Sequence, residues 1–377
     1  MWSASGSNAR NTSSIQNERS SHTNHHGTFH PTHSGFAFQR QSGVWLPYHK
    51  FRMTLPRFLL LLILPLFLTP PCQGRRSNLL SSLKSPILLR GNDSIAYRDP
   101  AVAYHHGTFF LFYTVTKTTP DSIYSFVAQS QSNDLVHWTM PQPITPASQL
   151  MGFSSPGNVI RYRGQYVLCL QSYPRPNYLP GQGVRYGNDQ ARLFIIRSHD
   201  MKHWSQPELL RVKGDVPVSS MGRMIDPYLI QDKDEPGKWW CFYKQNGVSM
   251  SYSHDLTHWT PYGRTDCGEN VSVLVDNGEY VLFHSPQNGI GVKRSTDLLH
   301  WRDDGPLIIL GQQQWEWARG RITAATVIDL RSVRRIGCYL MFFHGSGPLT
   351  EPEGDFDRNA SLGIAWSTDL QTWHYPM

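Results

Sequence analysis

Five times the chain repeats one short pattern: Asp-Leu or Asp-Met, two further residues, then Trp. The copies are Asp134-Leu135-Val136-His137-Trp138, Asp200-Met201-Lys202-His203-Trp204, Asp255-Leu256-Thr257-His258-Trp259, Asp297-Leu298-Leu299-His300-Trp301 and Asp369-Leu370-Gln371-Thr372-Trp373. The Asp-to-Trp offset is four residues in every copy, and four copies carry His just before the Trp. A repeat at irregular but blade-sized intervals marks an array of supersecondary units, none of which buries its apolar face alone.

Each copy closes a unit with the same internal order. A short apolar segment comes first, at 99–104, 157–162, 226–231, 269–276 and 322–330. A turn, often with Gly, leads to a run rich in aromatic and branched residues at 109–114, 166–172, 239–245, 280–285 and 338–344. A third segment, the Asp-Trp turn and a short fourth strand follow. Five such units predict an all-β chain, a five-bladed β-propeller with four antiparallel strands per blade. The repeated Asp is expected to accept turn N–H groups and the Trp to pack between blades. The four His residues are expected to belong to the same turns rather than to bind metal.

The formal net charge of +7 belongs to the N-terminal part. Residues 1–76 hold eight Lys or Arg against the single acid Glu18, whereas 77–377 hold 27 basic and 27 acidic residues. The expected folded part therefore has no global field for phosphate backbones, and no nucleic-acid partner is expected. Residues 58–68 form an apolar run far shorter than the roughly 20 residues of a membrane span. With Arg57 before it and Cys72-Gln73-Gly74 after it, it reads as a secretory signal peptide covering 53–74. Residues 1–52, rich in Ser, His and Asn, are expected to be a disordered leader or to lie upstream of a true start at Met53. The remainder, 75–377, is expected to be one secreted or periplasmic domain without a stable membrane span. Its four cysteines, Cys169, Cys241, Cys267 and Cys338, show no metal-type spacing, and the expectation is buried free thiols.

In a propeller the first strand of each blade lines the central channel. Blade one opens Arg98-Asp99-Pro100, blade three Ile225-Asp226-Pro227 and blade four Gly268-Glu269-Asn270. Three blades thus place an acid at an equivalent position near one rim, although Asp is disfavoured in strands and converging carboxylates raise one another's pKa. Such a cluster suits glycoside hydrolysis, which needs one carboxyl to protonate the leaving oxygen and a carboxylate to activate water or attack the sugar.

The five blades, Arg98-Asp99-Pro100, Ile225-Asp226-Pro227, and Glu269 ahead of Val271-Ser272-Val273-Leu274 with Gly278-Glu279-Tyr280-Val281-Leu282-Phe283 resemble glycoside hydrolase family 43 and its relatives in families 32 and 62. The resemblance covers residues 85–377. It implies Asp99 as general base, Asp226 as pKa modulator and Glu269 as general acid. It also implies an oligo- or polysaccharide substrate such as an arabinofuranoside or xyloside, attacked with inversion. Inversion would set the acid and base carboxyls roughly 6.5–9.5 Å apart. No cofactor is required on this reading, although the family leaves room for a structural calcium ion in the channel. Arg98, Tyr228, Trp315 and Arg321 are the expected substrate-binding residues; the two arginines can equally pair with the clustered acids. A non-catalytic carbohydrate-binding propeller, and a related fructosidase or phosphorylase, stay open as alternatives.

Overall fold

The computed structural model describes residues 78–182, 189–347 and 357–377. The expected leader at 1–52 and signal segment at 53–74 lie outside the described residues, as do parts of two insertions, 183–188 and 348–356. Among the described residues no helix is long and apolar enough to cross a membrane.

The fold is a five-bladed β-propeller. Blade one consists of Ile95–His105, Thr108–Thr119, Ser122–Ser132 and Gln142–Pro143. Blade three consists of Ile225–Gln231, Trp239–Lys244, Val248–Ser253 and Thr260–Thr265, and blade four of Glu269–Asp276, Glu279–Ser285, Gly291–Ser295 and Arg302–Asp303. In blade two the first strand is split into Phe153–Ser154 and Val159–Tyr162, both paired with Gln165–Ser172 and followed by Arg192–Ser198 and Glu208–Leu209. The split falls at Pro156-Gly157. A Cβ on Gly157 would stand 1.6 Å from the carbonyl oxygen of Pro227, so blade three approaches too closely for any side chain.

Blade five departs from the expected pattern. It contains Arg321–Asp329, Tyr339–Ser346 and Ser361–Ser367, but its outer strand is Ile87–Leu89, from the chain segment before blade one. The residues after the fifth Asp-Trp turn make only a single bridge, Trp366 to His374. Main-chain hydrogen bonds between the two ends of the domain thus close the ring, and Leu80 and Leu83 seat beside this seam.

The second strands read as continuous apolar runs because both of their faces are buried. Phe110 and Phe112 pack toward blade two, with Leu168 and Leu170. Leu111 and Tyr113 pack toward blade five, with Leu340 and Phe342. Similar clusters fill the other three junctions. Cys169, Cys241 and Cys338 are buried free thiols, as expected, and Cys267 is half-buried.

The repeated turns are built as the sequence suggested. In the third copy Asp255 Oδ1 accepts the N–H groups of Thr257 and His258, each at 2.8 Å, while His258 Nδ1 meets Asp255 Oδ2 at 2.7 Å. A Ser two residues before each Asp adds a further bond to the carboxylate, for example Ser253 Oγ to Asp255 Oδ1 at 3.1 Å. These donors hold Asp134, Asp200, Asp255 and Asp297 well below the usual carboxylate range. The following residue is left-handed in every copy, with φ of 65°, 55°, 59°, 66° and 64° at Leu135, Met201, Leu256, Leu298 and Leu370. Glycine would be cheaper in that conformation, but these side chains are buried plugs of the inter-blade cores. The Trp residues bridge blades: Trp204 meets Phe112 edge-on at 5.5 Å, Trp301 meets Phe242 at 6.5 Å, and Trp373 meets Phe283 at 6.2 Å.

Replacing Asp255 by Ala removes the acceptor for two turn N–H groups. Denaturant unfolding should show a loss of about 1–2 kcal/mol without a change in the slope.

Candidate active site

The first strand of blades one, three, four and five carries a bulge near its start, and the split serves the same purpose in blade two. Each bulge holds one non-glycine residue at positive φ: Asp99 (52°), Ser155 (41°), Asp226 (54°), Asn270 (53°) and Ala324 (53°). A left-handed L-residue costs on the order of 1 kcal/mol, so five together need compensation.

The compensation comes from the preceding blade. The N–H of Asp99 donates to His344 Nδ1 at 3.1 Å, that of Ser155 to Thr114 Oγ1 at 2.7 Å, that of Asp226 to Gln171 Oε1 at 2.6 Å and that of Ala324 to Ser285 Oγ at 2.9 Å. His344, Thr114, Gln171 and Ser285 occupy equivalent places on the second strands. Blade three has Lys244 there, paired with Ile225, and an ammonium cannot accept. The Asn270 N–H turns instead to Asp226 Oδ2, at 3.4 Å. The ring of equivalent bonds is interrupted where the carboxylates cluster.

This register corrects one reading of the sequence. Asp99 and Asp226 are equivalent, but their counterpart in blade four is Asn270. Glu269 stands one residue earlier, in line with Arg98, Ser154, Ile225 and Thr323. The bulge turns successive side chains away from simple alternation, so Glu269 still faces the pocket from nearer its mouth. Its side chain is 33% exposed, against 9% for Asp99.

One cavity of about 90 Å³ brings together Asp99, Asp226, Glu269, Ser155, Asn270 and Arg98. Burial alone would raise the Asp99 carboxyl. The Arg98 guanidinium and hydrogen bonds from Thr114, at 2.9 Å to Oδ2, and Ser155 outweigh it and hold Asp99 below the usual range. Asp226 behaves oppositely. Burial, with Glu269 and Asp99 nearby, pushes it up to about 8 despite Ser155 and Arg223. Two equivalent carboxyls sharing one serine thus carry different charges at neutral pH. Burial also drives His344 down to about 3, so its ring is neutral and its bare Nδ1 takes the Asp99 N–H.

Arg321 pairs with Glu269, Nη2 to Oε1 at 3.0 Å, which is the structural role foreseen as one of its two options. Arg98 lies beside Asp99 and reaches Thr116 Oγ1 at 3.4 Å. The other two expected sugar contacts are corrected. Tyr228 is 6% exposed and sits in the core between blades three and four, interacting with Ser272, because its place on the strand points away from the rim. Trp315 stacks with Trp317 at 5.3 Å and meets Tyr375 edge-on at 4.7 Å, half-buried against the core between blades four and five. An apolar ring finds more to bury there than at a charged rim.

Several pocket residues escaped the sequence reading. Tyr173 and Arg175 come from the blade-two insertion, and Arg223 from the turn before Asp226. Arg175 is anchored by Asp357 at 3.0 Å, which in turn accepts from Tyr178 at 2.7 Å. One signal was readable for Arg223: like Arg98, it precedes an Asp-Pro pair by a short interval.

The channel below the pocket is narrow and of mixed polarity, with Pro100, Pro156, Pro227, Val271 and Ala325 beside Asp99, Ser155, Asp226, Asn270 and Thr326. Among the described residues no group of three His, Cys, Asp or Glu side chains could hold a metal ion.

No protein-family model and no curated protein sequence matches the chain. Solved structures do share its fold. A thermostable family-43 glycoside hydrolase matches with a TM-score of 0.52 and 12% identity, over 76% of this chain and 94% of its own. A family-117 glycoside hydrolase from the marine bacterium Zobellia galactanivorans gives 0.52 and 13%, over 73% and 86%. A family-43 β-xylosidase/α-arabinofuranosidase from a compost microbial metagenome, in complex with xylotriose, gives 0.50 and 12%, over 78% and 97%. The fold is therefore that of the family-43 propellers, and the likeness at these identities is one of fold.

Holding a proton on Asp226 has a stability consequence. Its folded pKa is raised, so the penalty is absent below the ordinary carboxylate range and grows as pH rises toward about 8. Asp226→Asn removes that penalty. Thermal melts should show the substitution stabilising the fold by about 2 kcal/mol more near pH 7.5 than near pH 4.

Proposed function

We propose that the protein is a glycoside hydrolase acting at the pocket around Asp99, Asp226 and Glu269. The observation that carries this reading is the convergence of three carboxyls on one pocket, with the two equivalent ones, Asp99 and Asp226, shifted in opposite directions by their surroundings and Glu269 at the mouth. A binding module gains nothing from a buried carboxylic acid, which costs stability. A glycosidase needs a base and a proton donor within one cavity.

Asp99 is the base. His344, Thr114 and Ser155 fix its backbone and its carboxylate, leaving the charged group directed into the pocket to take a proton from water. Glu269 is the acid that protonates the leaving oxygen. It stands nearest the mouth, where the departing part of a glycan must leave. Asp226 holds its proton between them and restrains the position of Glu269 through the Asn270 N–H. Water delivered by Asp99 to the face opposite Glu269 inverts the anomeric centre. The solved structures of the same fold, whose descriptions name xylosidase and arabinofuranosidase activities, support a furanoside or xyloside as a first substrate to try.

The test is a panel of nitrophenyl arabinofuranoside, xyloside and galactoside together with fructans. Asp99→Asn should lower kcat/KM by about 10²–10⁴ on every substrate that turns over. Glu269→Gln should lose a similar factor on alkyl glycosides and far less on dinitrophenyl glycosides, whose leaving groups need no proton. Equal losses on both kinds of leaving group would remove Glu269 from the acid role. Glycan binding with no turnover of any substrate would instead favour the non-catalytic propeller.

A further inference from the structure

We propose that the sugar bound in this pocket is anionic, bearing a carboxylate or sulfate group, and that Arg223 receives that group. The inference rests on the reading of the pocket as a glycan site and names its substrate class.

Four arginines stand at or around the cavity: Arg98, Arg175, Arg223 and Arg321. Three have a carboxylate. Arg98 lies beside Asp99, Arg175 pairs with Asp357 at 3.0 Å and Arg321 with Glu269 at 3.0 Å. The remaining acid, Asp226, is pushed toward its protonated form by burial and by Glu269 and Asp99. Among the described residues Arg223 makes no salt bridge, so it is the pocket arginine least matched by negative charge. Its Nε–H is buried with no hydrogen-bond partner among the described residues. The guanidinium carbon lies 5.7 Å from the centre of the Tyr173 ring, which steadies the group without neutralising it.

An unmatched guanidinium in a cavity costs desolvation, and an unmade hydrogen bond adds to that cost. The cost is recovered when a ligand brings the missing charge. A guanidinium presents two parallel N–H donors, which fit two oxygens of one carboxylate or sulfate. A neutral pentose or hexose offers only hydroxyls and would leave the charge unmatched. Ser155 and Asn270 line the same cavity and supply uncharged partners for the remaining hydroxyls. The uncharged state of Asp226 matters here as well, because an ionised carboxylate there would repel the incoming anion.

Calorimetric titration of the full chain tests this. The probes are oligosaccharides containing glucuronate or galacturonate, sulfated galactan oligosaccharides, their neutral counterparts, and inorganic sulfate and phosphate alone. At least one acidic class should bind tenfold or more tightly than its neutral counterpart, and which class does so separates carboxylate from sulfate. Arg223→Gln should erase the preference, lowering acidic-glycan affinity tenfold or more with the melting temperature unchanged or higher; Arg223→Lys should keep part of it. Equal affinity for neutral and acidic sugars, or a preference that survives Arg223→Gln, overturns the proposal. So does binding of inorganic sulfate or phosphate as tight as that of the acidic sugars. Hydrolysis measured in parallel keeps the two readings apart. Acidic-glycan binding without turnover removes the glycosidase and leaves this site standing, whereas turnover of neutral substrates without any acidic preference does the reverse.

Discussion

The structure turns on a hydrogen bond made once at nearly every junction between blades. A left-handed residue at the rim donates its N–H to a side chain on the second strand of the blade before it. The bond offsets a strained backbone, sets the rotation between blades and directs the next side chain into the pocket. Asp99 and Asp226 face one another because both occupy this place. Without the acceptors His344 and Gln171, the two carboxylic acids would be free to relax toward solvent, where burial would no longer separate their charges.

The junction between blades three and four is the exception. Lys244 stands where an acceptor belongs, and Asp226 itself takes over as the partner of the Asn270 N–H. A rule kept by four junctions and broken by the fifth sets this junction apart from the scaffold, and local rules are broken most often at functional sites. The break lies where burial pushes the Asp226 carboxyl up, where Glu269 sits one residue out of register, and near Arg223, which makes no salt bridge among the described residues.

Much of this was legible in the sequence. The Asp-to-Trp spacing identified five blades, because a turn that needs one carboxylate and one wedge cannot vary its length. Asp99, Asp226 and Glu269 stood out because strands give no reason for an acid. What escaped followed from geometry that spacing does not encode. A bulge adds a residue without a sequence mark, so Glu269 looked equivalent to Asp99. The ring is closed by Ile87–Leu89, a strand too short to announce itself. Tyr228 and Trp315 were assigned to sugar on residue type, whereas the core had the stronger claim on their rings. Arg175 and Arg223 belong to loops, and only the folded chain shows which cations already have partners.

The account stands or falls on where the proton resides. Carboxyl ¹³C NMR of the chain labelled at aspartate, followed through a pH titration, reads this directly. The account predicts one resonance that titrates near neutrality or above and disappears in Asp226→Asn, alongside an Asp99 resonance that stays ionised into the acid range. If every aspartate resonance titrates in the ordinary carboxylate range, the divided charge at the rim does not exist, and the function built on it fails.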